Sequence, residues 1–174
     1  MKRDWRDGCC LTVLVVTLQL AIAGQLVFAL IVSDAEFVRT ADVLLSPYGF
    51  CMRRPPNAGF ECRPVSSSGP VCTMLVLCLY SPLPLTLFAA LAYLFGTFGA
   101  DDSLLRFSVA TQALGSATML LGVAAFISAS WRYLWPAGLT AAYYLSVCTC
   151  AEMAAVAALA QWSAARSARC EVTL

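Results

Sequence analysis

The chain alternates between four long apolar runs and shorter polar segments. Each run exceeds the roughly 20 residues that an α-helix needs to cross a hydrocarbon core, at about 1.5 Å per residue. The pattern therefore predicts an all-α membrane protein, a single domain in which four transmembrane helices form a bundle. The predicted spans cover about residues 9–32, 71–98, 105–130 and 136–162.

The first apolar run has a second interpretation, a cleaved signal peptide. Ala21 and Ala23 have the small-x-small spacing of a cleavage site. The uncharged run, however, continues to Val32, and this is longer than the core of about 7–15 apolar residues in an ordinary signal peptide. We therefore expect the run to be retained as a membrane helix.

Residues 33–70 form the long polar loop after the first span. Three stretches in this loop are rich in strand-forming residues, at 36–45, 48–54 and 59–65. A hairpin that turns at Pro55–Ala58 would place Cys51 directly opposite Cys62. Because cross-strand Cβ atoms lie about 4.5–5.5 Å apart, such a pair can form a disulfide. The loop is therefore predicted to be a small β-hairpin or sheet pinned by a Cys51–Cys62 disulfide.

Local signals predict how the remaining helices begin and break. Pro82 and Pro84 lie inside the second run and should kink it, since proline removes a backbone donor. Asp101 begins a polar turn that can cap the third helix, and Pro136 is placed to start the fourth. The third run carries small residues that would let helices approach closely, namely Ala113, Gly115, Ala117, Thr118 and Gly122.

Composition supports a membrane protein and excludes several function classes. Only 12% of residues are charged, against roughly a quarter in a soluble domain. The net charge of +1 gives no basic excess for nucleic acid, and the absence of histidine removes the commonest general base and metal ligand. No cofactor or metal is indicated. The four tryptophans fall at predicted span ends, as in an interfacial belt: Trp5, Trp131, Trp135 and Trp162.

The disulfide sets the predicted orientation better than the basic residues do. With four spans, six Lys or Arg residues share the side of the termini and five lie opposite, a difference too small to decide. A disulfide belongs in an oxidising compartment. We therefore expect both termini in the cytosol and the 33–70 loop outside or in the lumen, in the plasma membrane or an endomembrane.

Glu152 is the one acidic residue within a predicted span. A charged carboxylate at mid-membrane costs about 2.5–3.5 kcal/mol on insertion scales. Gln19 and Glu152 each lie about ten residues from one end of their spans, so we expect a protonated Glu152 to hydrogen-bond to the Gln19 amide. The alternative is functional: Glu152 would serve a proton or small-solute pathway, or a channel or transporter accessory subunit.

Cysteines outside the loop suggest two further hypotheses. Cys148 and Cys150 raise the alternative of a membrane thiol oxidoreductase, but residues two apart on a helix point in different directions and the chain has no Cys-x-x-Cys sequence. Cys9, Cys10 and Cys170 lie near span ends, where S-palmitoylation occurs.

The C-terminus ends in Val172, Thr173 and Leu174. Apolar residues at the last and third-last positions suit a PDZ scaffold of the hydrophobic type. This makes a PDZ protein a candidate partner, beside the lipid bilayer.

The order of head, span, cysteine-containing β-rich loop and three closely spaced spans resembles the claudin-like four-span superfamily. The resemblance is carried by the layout, by Tyr48-Gly-Phe-Cys51 and by Cys62. Claudins have Gly-Leu-Trp-x-x-Cys at this place, whereas this loop has a shortened motif and no tryptophan. The superfamily also includes the peripheral myelin and epithelial membrane proteins and several small uncharacterised transmembrane proteins. The shortened motif looks closer to the uncharacterised members than to the barrier-forming claudins. MARVEL-type four-span proteins are the second choice for the fold.

The resemblance implies a function without catalysis. Proteins of this layout organise or regulate partner membrane proteins, self-associate in the membrane, or support cell contacts. We therefore expect a non-enzymatic membrane organiser.

Overall fold

A computed structural model describes residues 2–47, 49–53, 60–64, 70–130 and 138–171. Within these residues the chain forms five α-helices and one small sheet. The helices are α1 (Lys2–Val27), α2 (Pro70–Tyr80), α3 (Pro82–Gly99), α4 (Asp102–Ser130) and α5 (Ala141–Glu171), and a π-helical turn at Phe28–Val32 follows α1. The strands are β1 (Val38–Arg39), β2 (Val43–Ser46), β3 (Gly49–Arg53) and β4 (Phe60–Pro64).

Four helical segments of the described part of the chain are long and apolar enough to cross a membrane, judged by length and composition. They are Cys10–Val32, Thr73–Gly99, Asp102–Ser128 and Ala141–Ser163. In the bundle, α1 and α4 each pack against the helices on both sides, α3 and α5. Each helix turns one stripe inward, as Val15, Gln19, Ile22 and Leu26 do on α1.

The second apolar run is divided at Ser81, as the prolines predict. Pro82 and Pro84 have no N–H to donate to the preceding turn. The helical hydrogen bonds continue around the break, because the Ser81 N–H donates to Leu77 O over 2.9 Å and the Leu85 N–H donates to Ser81 O over 3.2 Å. The run is therefore two helices, α2 and α3, that lie nearly end to end.

The turn between α3 and α4 is capped as predicted. Ala100 adopts a left-handed conformation with φ 51°, which ends α3. The Asp101 carboxylate then accepts a hydrogen bond of 2.8 Å from the Ser103 N–H. This is the N-cap of α4, since it satisfies a donor that has no partner within the helix.

The fourth long helix begins later than predicted. Residues 138–140 are not α-helical, so the expected start at Pro136 is wrong; Pro136 itself, with Trp131 and Trp135, lies outside the described residues. Leu139 instead forms a bridge with Val38. The Thr140 N–H donates to Phe37 O over 3.1 Å, and the Thr140 hydroxyl donates to Glu36 O. These bonds hold the segment in an extended form until α5 begins at Ala141.

The sheet is an antiparallel meander in the order β1-β2-β3-β4. A turn divides the strand-rich stretch at 36–45 into β1 and β2. In this turn the Thr40 N–H donates to Val43 O over 2.8 Å, and the Thr40 hydroxyl accepts from the Val43 N–H over 3.0 Å. The predicted hairpin is present as β3 and β4, within a four-stranded sheet.

Small residues of α4 lie at its contacts with neighbouring helices, as expected, but only some of the predicted small residues do so. Gly115 and Gly122 are buried against neighbouring helices, whereas Ala113 and Ala117 are exposed. With the buried Ser108, the two glycines form a stripe at intervals of seven residues. This spacing keeps all three on nearly the same side of the helix.

Candidate functional site in the disulfide-bonded sheet and the bundle interior

The disulfide joins the two central residues of the β3–β4 hairpin. Cys51 pairs with Cys62 in the strand register, and the S–S distance is 2.04 Å. The prediction from the loop sequence is confirmed; its turn at Pro55–Ala58, and Tyr48 of the shortened motif, lie outside the described residues.

The two faces of the sheet have different neighbours. Directly paired residues share one face of an antiparallel sheet. Val38, Leu45 and Phe50 follow one another across three strands, and all three belong to or pack against the hydrophobic core. The adjacent row is Arg39, Leu44, Cys51 and Cys62. The disulfide therefore lies on the face turned away from the core, the outward face, where Arg39 and Cys62 are exposed and Cys51 is buried, at 8% exposure.

Contacts with α4, α5 and the segment before α5 hold the inward side of the sheet against the ends of the helices. The Phe37 ring meets Phe126 of α4 edge-on, with 4.9 Å between ring centroids, and Tyr143 of α5 at 6.2 Å. Gly138 lies so close to β1 that an added Cβ would be 2.8 Å from Thr40 Cγ2. Together with the Leu139 bridge, these contacts fix the sheet relative to the bundle.

The π-helical turn that ends α1 is held by the second apolar run. Its Leu30 carbonyl accepts a hydrogen bond of 2.8 Å from the Tyr80 hydroxyl at the end of α2. The Ser33 N–H reaches back to Phe28 O over 3.0 Å, which closes the wide turn. The chain thus leaves the bundle toward the sheet at a defined angle.

Hydroxyl groups between helices bond mainly to backbone carbonyls. Ser108 donates to Ala89 O over 2.7 Å, which joins α4 to α3, and Ser116 donates to Cys150 O over 3.2 Å, which joins α4 to α5. Such bonds satisfy polar groups inside an apolar bundle and add to helix packing. They are structural contacts and do not form a cluster of reactive groups.

The structure does not bring Glu152 and Gln19 together as expected. Gln19 is fully buried, and both its amide atoms lack a hydrogen-bond partner within the described chain. Glu152 is half-buried on the flank of α5, next to the inward-facing Met153. The predicted hydrogen bond is therefore wrong. The polar pair that does form is Thr149 with Gln25, over 3.1 Å, and the sequence reading missed it.

The remaining cysteines lie in separate environments. Cys148 is exposed, whereas the half-buried Cys150 thiol donates to Ser116 O over 3.6 Å, so the two point in different directions as expected. Cys10 is exposed at the start of the first apolar segment. Side chains of Trp5, Cys9 and Cys170, and residues 172–174, fall outside what the structure describes. Within the described residues no group of three or more Cys, Asp or Glu side chains could hold a metal ion.

Comparison with other proteins adds no assignment. No protein-family model matches the sequence, and no match is found among the curated proteins.

Proposed function

We propose that the chain is a multi-pass integral membrane protein, with a claudin-like layout, that binds and organises partner membrane proteins without catalysing a reaction. The four apolar helical segments support membrane insertion. Large hydrophobic side chains cover their outer surfaces, including Phe88 at 60% exposure and Leu121 at 62%. In water such a surface would be unfavourable, whereas lipid chains would cover it without cost.

The proposed orientation places the sheet outside the cell or in the lumen and both termini in the cytosol. A disulfide persists in an oxidising compartment, and Cys51–Cys62 lies in the sheet. Epitope tags at either terminus should be stained only after the membrane is permeabilised. Staining of a terminal tag in intact cells, with the chain at the cell surface, would overturn the orientation.

The observation that carries the proposed function is the clamped sheet. A recognition surface binds more tightly when it is already rigid, because less conformational entropy is lost on binding. The sheet is held internally, because the disulfide joins β3 to β4. It is also held against the helices, because Phe37 packs between Phe126 and Tyr143. The exposed residues of its outward row, Arg39 and Cys62, then form a preformed surface for the aqueous phase.

Site-specific photo-crosslinking tests this role. A photoreactive residue placed at the exposed Arg39, on the outward row, should capture a partner protein in cells. The matched control is Leu121, which is exposed on the helical surface of α4 and should contact lipid. Capture of proteins from Leu121 and none from Arg39 would show that assembly uses the helices and would refute the proposed role of the sheet.

Glu152 favours a second candidate function, a pathway for protons or small solutes. Glu152 is half-buried, and its side chain makes no hydrogen bond or ion pair with any described residue, which suits a position beside water. In a background without free cysteines, Leu159→Cys on the same flank should react with a charged thiol reagent if water reaches it. Ala158→Cys, on the exposed face, is the control that should stay protected by lipid. Equal protection of both would remove this candidate.

A further inference from the structure

Three neutral polar side chains buried inside the bundle have no hydrogen-bond partner in the part of the chain that the structure describes. Gln19 of α1, Thr86 of α3 and Gln112 of α4 each have 0% exposure. Both amide atoms of each glutamine and the Thr86 hydroxyl lack a hydrogen-bond partner among the described residues. Buried polar groups are nearly always hydrogen-bonded, and one that is not costs about 1–3 kcal/mol.

Contacts between α3 and α4 place Thr86 and Gln112 at the same level. Ser108 bonds to Ala89 O, and a Cβ added at Gly115 would lie 3.6 Å from Leu85 Cβ. The two helices run in opposite directions, so positions 108 and 115 of α4 are level with positions 89 and 85 of α3. Position 112 lies between the first two positions, and position 86 lies between the second two. The two polar side chains therefore face the same layer of the bundle.

Contacts to α5 bring Gln19 to this layer as well. Gln25 of α1 meets Thr149, so Gln19, six residues earlier, is level with position 155 of the antiparallel α5. A Cβ added at Gly115 would lie 2.6 Å from Met153 Cε, so Gln112, three residues earlier, is level with position 156. At about 1.5 Å per residue, these two levels nearly coincide. Three helices thus contribute polar groups to one layer.

We propose that Gln19, Thr86 and Gln112 form an internal hydrated site, in which bound water bridges the two amides and the hydroxyl. The three side chains are uncharged and together offer donors and acceptors, which suits a small neutral molecule with both functions. A buried water makes about three hydrogen bonds, and one water can therefore join all three helices. The site lies inside the bundle and is separate from the outward face of the sheet.

Radiolytic labelling of the purified full chain in detergent micelles tests the site directly. Hydroxyl radicals formed from bound water oxidise the side chains near it. The reporter is the fully buried Met153, whose Cε would lie 2.6 Å from a Cβ added at Gly115, three residues from Gln112. Met153 should be oxidised in the wild type. Oxidation should fall several-fold in a variant that combines Gln19→Leu, Thr86→Val and Gln112→Leu. Met52, in the sheet, is the control and should be labelled equally in both.

Stability of the two glutamine variants gives a second, independent readout. If water bridges the amides, Gln19→Leu and Gln112→Leu should each lower the melting temperature, and the double variant should fall no further than the worse single one. If instead each single variant raised the melting temperature and the two increases added in the double variant, the two amides would be unpaired and independent, and the site would be overturned. If the losses in melting temperature did not add but Met153 stayed unoxidised, the two amides would bond to each other directly, and the proposed bound water would be overturned. An unlabelled Met153 in the wild type overturns the proposal even if the variants do not fold.

Discussion

Gly122 is the position at which a single methyl group should test the packing of the bundle most directly. It lies on α4 where α2 crosses closely. An added Cβ would be 2.9 Å from Leu79 Cδ2, 3.0 Å from its Cγ and 3.2 Å from its backbone N. Leu79 is fully buried, so its side chain has little space to move. Because the backbone is also within 3.2 Å, relief of the clash requires α2 itself to shift.

Two opposing effects set the magnitude for Gly122→Ala. Overpacking a close contact costs about 1–3 kcal/mol, while replacing a helical glycine with alanine gains about 1 kcal/mol. We expect a net loss of about 1 kcal/mol in the free energy of unfolding. Gly24→Ala is the matched control, because no atom of the described residues outside its own helix backbone lies within 4 Å of its added Cβ. It should gain up to about 1 kcal/mol, so the difference between the two variants measures the clash alone.

Unfolding in mixed micelles, by titration of sodium dodecyl sulfate into a mild detergent, measures both variants on one scale. Gly115→Ala provides a graded case, since its nearest contact at 2.6 Å is the flexible Met153 Cε, and it should lose less than Gly122→Ala. If Gly122→Ala is as stable as Gly24→Ala, the close approach of α2 and α4 is refuted.

Three further substitutions test single contacts. Replacing Cys51 and Cys62 together with serine should destabilise the sheet by about 2–3 kcal/mol, since their separation of 11 residues closes a short loop; faster limited proteolysis is the readout, and an unchanged rate would contradict it. Tyr80→Phe should cost about 1 kcal/mol by removing the hydrogen bond to Leu30 O, and wild-type stability in the detergent titration would argue against that bond. Asp101→Ala should cost about 1 kcal/mol by removing the N-cap, whereas Asp101→Asn should retain most of it; equal loss in both variants would mean that capping is not the cause.

The features that were predicted correctly depend on neighbours in sequence. The break before Pro82 follows from a missing N–H within the same helix. The Asp101 cap acts two residues away, and the Cys51–Cys62 disulfide lies across one hairpin. In each case the partner is within about a dozen residues, so spacing alone identifies it.

The wrong prediction for the start of the fourth helix involves a partner far away in the chain. Pro136 is well suited to start a helix, but the segment that follows it pairs with β1 instead. The Thr140 hydroxyl donates to the carbonyl of Glu36, 104 residues earlier. Local preference amounts to a fraction of a kcal/mol per residue and tertiary hydrogen bonds override it. Nothing near residue 140 in the sequence indicates this partner.

The expected Gln19–Glu152 bond failed for a different reason, which bears on how intramembrane polar residues are interpreted. Counting residues from span ends predicts depth, and here the depths agree to about one helical turn, since Gln19 is level with position 155 of α5. A side chain's partner also depends on the rotation of each helix about its axis. Thr149 and Met153 face inward on α5, so Glu152 is turned to the flank, while Gln19 points to the centre. The carboxylate and the amide therefore belong to two different environments at nearly one depth, and they call for separate experiments: access of water to the flank for Glu152, and bound water within the core for Gln19.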